Sequence, residues 1–136
     1  MIKKISHVAI VVPQLDESIG FWGDALGLTL AGRELVDTQG VEVAFLPVGE
    51  SDIELLQPTD DQSGVARYLQ KQGPGMHHIC FEVDDIEETL VRLKAANVPL
   101  IDETAKVSAD GKKLAFIHPK GTNGVLIELY ELPEDE

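Results

Sequence analysis

The chain has 136 residues, 43% hydrophobic and 26% charged, with a formal net charge of −13. That length is one domain, or two very small modules fused, and the apolar fraction excludes a disordered chain. With 24 acidic against 11 basic side chains it repels phosphate backbones, so nucleic acid is not an expected partner.

Residues 5–12 are rich in β-branched side chains and read as a strand. An amphipathic helix follows, with Leu15, Ile19, Trp22 and Leu26 on one stripe. Gly27 stands just past it, where a left-handed terminator belongs. Strand-like segments come next at 28–35, 41–47 and 52–57. Residues 63–72 read as a short helix with Val65, Tyr68 and Leu69 apolar, ended by Gly73-Pro74-Gly75. A second β-branched run covers 76–83, and Ile86, Leu90 and Leu93 make a second helical stripe closed by Asn97. Three more strand-like segments lie at 100–104, 113–118 and 125–130.

The expected organisation is a single α+β domain of two tandem βαβββ modules. The first takes residues 1–60, a linker helix 61–75, the second module 76–132, and 133–136 form a tail expected to fray. The longest apolar runs, such as Val8-Ala9-Ile10-Val11-Val12, are too short to cross a bilayer, so no membrane association is expected. The first residues show no apolar h-region, and the single cysteine, Cys80, makes no internal disulfide; both agree with a cytoplasmic protein.

The two modules are copies. At an offset of 71, His7 falls on His78, Val8-Ala9-Ile10 on Ile79-Cys80-Phe81, and Ala44-Phe45-Leu46 on Ala115-Phe116-Ile117. The offset then becomes 74, and Ile53-Glu54-Leu55 falls on Ile127-Glu128-Leu129. The extra residues sit in the turn-rich stretch Pro119-Lys120-Gly121-Thr122-Asn123-Gly124, where an insertion does least harm.

The repeat puts a histidine in the first strand of each half and a glutamate in the last. Strand side chains alternate faces, so Glu54 shares a face with Asp52 and Leu56, and Glu128 with Leu126 and Tyr130. Carboxylates among apolar neighbours are costly unless paired, hydrogen-bonded or on a metal. If the first and last strands of each module are neighbours, His7 meets Glu54 and His78 meets Glu128. Related by pseudo-symmetry, the pairs form a His2Glu2 set suited to a divalent first-row metal. His77 points to the opposite face from His78, and the repeat matches it with Ser6. Cys80 matches Ala9 and reads as a small buried hydrophobe. His118, before Pro119, reads as a loop residue.

Four stretches carry a family resemblance. They are Gly75-Met76-His77-His78-Ile79-Cys80-Phe81-Glu82-Val83-Asp84; His118-Pro119-Lys120-Gly121 with Gly124-Val125-Leu126-Ile127-Glu128-Leu129; Ile53-Glu54-Leu55-Leu56-Gln57-Pro58; and Gln39-Gly40 before Val41. With the tandem modules, they resemble the vicinal oxygen chelate superfamily of glyoxalases, bleomycin-resistance proteins and dioxygenases, over almost the whole chain. Within it they are most similar to the methylmalonyl-CoA epimerases.

The resemblance implies a cup-shaped mixed β-sheet around a divalent metal (Co, Ni, Mn or Zn), with His7, His78 and Glu128 as ligands. Some members carry Gln at the Glu54 position, which leaves Glu54 either a ligand or a base held near the metal. The implied reaction inverts methylmalonyl-CoA at C2 through an enolate, with Glu54 and Glu128 as bases on its two sides. An acyl-CoA substrate and a homodimer are the implied partners. One departure stands out: where some members place a base on the strand after Gln-Gly, this chain has Val43, and the adjacent Glu42 points the other way. Lys106, Lys112, Lys113 and Lys120 read equally as a basic rim for CoA phosphates and as ordinary surface lysines. Glyoxalase I, with the same four-residue arrangement, is the alternative enzyme, and a non-catalytic small-molecule binding protein of the same fold is the alternative outside catalysis. An extradiol dioxygenase wants open positions for oxygen, which four ligands leave less room for.

Overall fold

The computed structural model describes residues 1–134; Asp135 and Glu136 of the expected tail lie outside them. Two compact units emerge, one of His7–His77 and one of Met1–Ser6 with the chain from His78 onward.

In the first unit, β1 (Ile2–Val11) runs parallel to β4 (Ser51–Pro58). Strand β3 (Val41–Val48) pairs antiparallel with β4, and β2 (Gly32–Val36) antiparallel with β3. Alternation along the strands sorts the apolar residues into two layers. One face packs Ala44, Leu46 and Leu55, with Ile10 and Ile53, against Leu15 and Ile19 of α1 (Leu15–Ile19). The other gathers Ala9, Val41, Val43 and Leu56, with Val36 and Phe45, against Val65 of α2 (Gly64–Gln72). Ser63 caps α2, its hydroxyl accepting from the Ala66 amide at 3.0 Å.

Two expectations are corrected here. Leu26 was expected on the buried helical stripe but is 54% exposed. After Ile19 the helix widens into a π-helical turn over Gly20–Ala25, with the Leu26 amide bonding to the Phe21 carbonyl at 2.8 Å. The 3.6-residue period no longer holds, and Leu26 rotates outward. Leu28 fills the core in its place, its amide reaching the Trp22 carbonyl at 3.1 Å. That contact keeps residues 28–31 out of the expected 28–35 strand, which shrinks to β2. Gly27, at φ +97°, is the expected left-handed terminator.

In the second unit, β5 (Gly75–Val83) runs parallel to β8 (Leu126–Glu131). Strand β7 (Lys113–Ile117) pairs antiparallel with β8, and the two-residue β6 (Lys106–Val107) antiparallel with β7. Helix α3 (Ile86–Ala95) lays Ile86, Leu90 and Leu93 on Val83, Ala115, Ile117 and Leu129. Asp85 caps its start through the Glu88 amide at 3.0 Å, and Asn97 turns left-handed past its end at φ +60°. The Met1 ammonium and the Asp84 carboxylate lie 2.7 Å apart, and Lys3 pairs with Glu82 at 3.4 Å.

The expected strand at 100–104 does not form. Leu100 makes a single bridge to Ile117, and the Ile101 and Asp102 amides both turn to the Phe116 carbonyl, at 3.0 and 3.2 Å. The Asp102 carboxylate accepts the Phe116 amide at 2.8 Å, so a side chain takes the place of a strand carbonyl. The edge strand forms later, as β6.

The fold is therefore α+β, two βαβββ modules in tandem. Register repeats as faithfully as sequence. Glu54 lies opposite Ala9 on one side and Phe45 on the other, and Glu128 opposite Cys80 and Phe116. Among the described residues, no helix is long and apolar enough to cross a membrane.

Candidate active site

Parallel pairing of the first and last strand of each module brings a histidine to a glutamate within each unit. His7 stands two residues before Ala9, on the same face and diagonal to Glu54. Its Nδ1 lies 3.3 Å from Glu54 Oε2, with the side chains 10% and 17% exposed. In the other unit, His78 Nε2 lies 3.2 Å from Glu128 Oε1, with side chains 10% and 13% exposed. The pairs are equivalent by register but not atom for atom, since a different imidazole nitrogen faces the carboxylate. The His78 ring also meets Phe116 edge-on, with centroids 5.9 Å apart and planes at 86°.

Burying a carboxylate costs several kcal/mol in general, and even a good buried pair is often no more stabilising than an apolar replacement. A strand position that keeps such a pair in both modules is poorly explained by stability. Each half offers one imidazole nitrogen and one carboxylate oxygen, a donor set suited to divalent first-row metals.

Of the other candidates, Cys80 stays beside one pair, its Sγ within 4.8 Å of a Glu128 carboxylate oxygen, while His77 and His118 lie apart from both. His77 packs edge-on against Tyr68, centroids 5.2 Å apart, and lines a cleft of about 490 Å³ with Gln39, Asp60 and Arg67. Cys80 is fully buried opposite Glu128. His118 is exposed and caps the 3-10 turn Pro119–Gly121, its Nδ1 accepting from the Lys120 amide at 3.0 Å. Three of the four lysines read as a rim are matched by carboxylates: Lys106 by Asp102, Lys112 by Asp110, and Lys113 by Glu87.

Glu42 shares the α1 side of its sheet with Ala44, facing away from Glu54. Its carboxylate takes a hydrogen bond from Arg33 Nε at 3.0 Å, and Arg33 also bonds Asp16 of α1 at 2.6 Å. The hydrogen bonds that Arg33 donates to Glu42, then to Asp16, hold the guanidinium pKa above its ordinary value. Val43 lies on the Glu54 face and is buried among apolar side chains. A Glu42→Gln variant is expected to keep turnover within about twofold of the parent, because an exposed pair on the far face contributes little. A steady-state assay checks this.

The pattern of the Glyoxalase/Bleomycin resistance protein/Dioxygenase superfamily matches residues 6–116. The chain belongs to that superfamily. The matched span takes in both histidines and Glu54, and Glu128 follows in the strand of the second module equivalent to β4. Among members of the superfamily, the chain is 42% identical over 131 residues to the mitochondrial methylmalonyl-CoA epimerase of Dictyostelium discoideum, covering 96% of this chain and 79% of that one. The solved methylmalonyl-CoA epimerase of Mycobacterium tuberculosis is 37% identical with a TM-score of 0.86, over 98% of this chain and 90% of that one. A structure of methylmalonyl-CoA epimerase in complex with methylmalonyl-CoA and NH4+ is 30% identical with a TM-score of 0.87, over 100% and 99%.

Sequence reasoning gave no role to the buried acid Asp102 of this superfamily member. The repeat pairs it with Ala31, so the signal that exposed the histidines and glutamates pointed away from it. Its role emerges only from the bond it makes to Phe116.

Proposed function

We propose that this chain interconverts (R)- and (S)-methylmalonyl-CoA at C2, and that His7, Glu54, His78 and Glu128 hold one divalent cation for that reaction. The observation that carries the reading is the buried His–Glu pair repeated at equivalent register in both modules. The similarity to methylmalonyl-CoA epimerases, one of them solved with its substrate, supports the choice of reaction.

A divalent cation would act as a Lewis acid toward the thioester and carboxylate oxygens that flank C2. The protein's own groups move the proton. Each carboxylate has two oxygens, so one remains for proton transfer when the other is engaged. One glutamate accepts the C2 proton and the other delivers a proton to the opposite face, which inverts the centre. The low exposure of both pairs keeps bulk water from competing for the enolate. Glu42 takes no part, and Val43 gives the Glu54 side an apolar wall where a third carboxylate would stand. The same reading makes the protein a cytoplasmic homodimer with an acyl-CoA as its small-molecule partner.

The test uses metal-stripped protein reloaded separately with Co, Ni, Mn or Zn. Given one methylmalonyl-CoA epimer in heavy water, the loaded protein is expected to form the other epimer with deuterium at C2, and a chelator to stop it. Turnover of methylglyoxal with glutathione alone would make it a glyoxalase I. A protein that neither holds nor regains metal would be a binding protein.

A further inference from the structure

Asp102 is a deeply placed acid outside the His–Glu pairs that bonds to β7, the strand next to the one that carries Glu128. It is 9% exposed and accepts the backbone N–H of Phe116 at 2.8 Å. Phe116 faces Glu128 across the β7–β8 ladder, and its ring meets the His78 imidazole edge-on. Asp102 therefore stands two contacts away from both members of one pair. The first module has no such brace: its equivalent residue is Ala31, whose amide reaches the Phe45 carbonyl at 2.8 Å but whose side chain can accept nothing. The Asp102 charge is matched by Lys106 at 3.3 Å, a side chain 67% exposed.

We propose that Asp102 is a positioning residue: through Phe116, its carboxylate fixes the ring orientation of His78 that turns Nε2 toward Glu128. This rests on the epimerase reading for its catalytic consequence. Residues that orient a ligand or base without touching substrate commonly alter metal affinity or activity by 10–100-fold. The hydrogen bond matters here rather than the charge, because Lys106 is mostly in water and screened.

The test compares Asp102→Ala, Asp102→Asn, Lys106→Ala and Phe116→Leu on the metal-loaded protein, with His78 ring nitrogen and proton signals recorded on each without substrate or metal. Asp102→Ala is expected to lower kcat about tenfold with KM within about twofold, and to shift the His78 signals. Asp102→Asn keeps an accepting oxygen and is expected to restore kcat and signals; Lys106→Ala is expected to leave both at parental values. Phe116→Leu keeps the backbone bond but removes the ring, so it should reproduce the loss and the shift, and it decides the matter if Asp102→Ala does not fold. Parental kcat or unmoved His78 signals in either loss variant would overturn the proposal, as would an Asp102→Asn as impaired as Asp102→Ala. A parent inactive on methylmalonyl-CoA sinks the functional reading instead; the ring signals still decide whether Asp102 orients His78.

Discussion

Glu128→Gln is expected to lose inversion of methylmalonyl-CoA by about a thousandfold, in the range that removal of a positioned acid–base group produces. The amide is nearly the same size and keeps one accepting oxygen toward His78, so the fold should survive. What it cannot do is take or return a proton. Glu54→Gln tests the other side. If each glutamate serves one face of C2, losing one still lets the other remove and return a proton on its own side. Glu54→Gln is then expected to exchange C2 hydrogen for deuterium in one epimer without inverting it, and Glu128→Gln to do so, if at all, from the opposite epimer. Mass spectrometry of recovered substrate, with chiral analysis, separates exchange from inversion. Parental inversion by both variants would end the two-base reading. Loss of metal from Glu54→Gln would make Glu54 a ligand first and a base second.

His7→Gln and His78→Gln are each expected to weaken metal binding by at least about a hundredfold, since even residues that only orient ligands cost 10–100-fold. Glutamine is preferable to alanine because it fills most of the imidazole volume and can still donate toward the carboxylate. A bare buried carboxylate would otherwise destabilise the fold and confuse the result. Metal analysis after dialysis, with a Co2+ titration, gives the affinity directly. His77→Gln and His118→Gln serve as controls: the first ring lies in another cleft and the second caps an exposed turn. Metal retained by both His7→Gln and His78→Gln would remove the proposed centre.

Much of this protein was legible along the chain because its signals are local and doubled. Alternation of apolar and polar residues marks a strand wherever it lies, and the 71-residue echo of His7 in His78 made each assignment a check on the other. Knowing that Glu54 and Glu128 close their modules was enough to expect a histidine beside each, since only the parallel pairing of first and last strands had to be supplied. The face of Glu42, the isolation of His77 and the stops at Gly27 and Asn97 followed from the same periodicities.

Where the reading failed, a contact from elsewhere overrode the local pattern. Leu26 fits a helical stripe, but the π turn after Ile19 shifts the helix out of phase and Leu28 takes the core position. Residues 100–104 have strand composition, yet the Asp102 carboxylate, 14 residues from Phe116 in sequence, satisfies the amide that a strand carbonyl would have bonded. The chain by itself determined which residue types recur and which face each strand residue takes, because backbone geometry ties those to spacing alone. Only the tertiary structure decided which nitrogen each histidine turns to its glutamate and which acid braces Phe116, because those depend on side chains that meet only after the strands have paired.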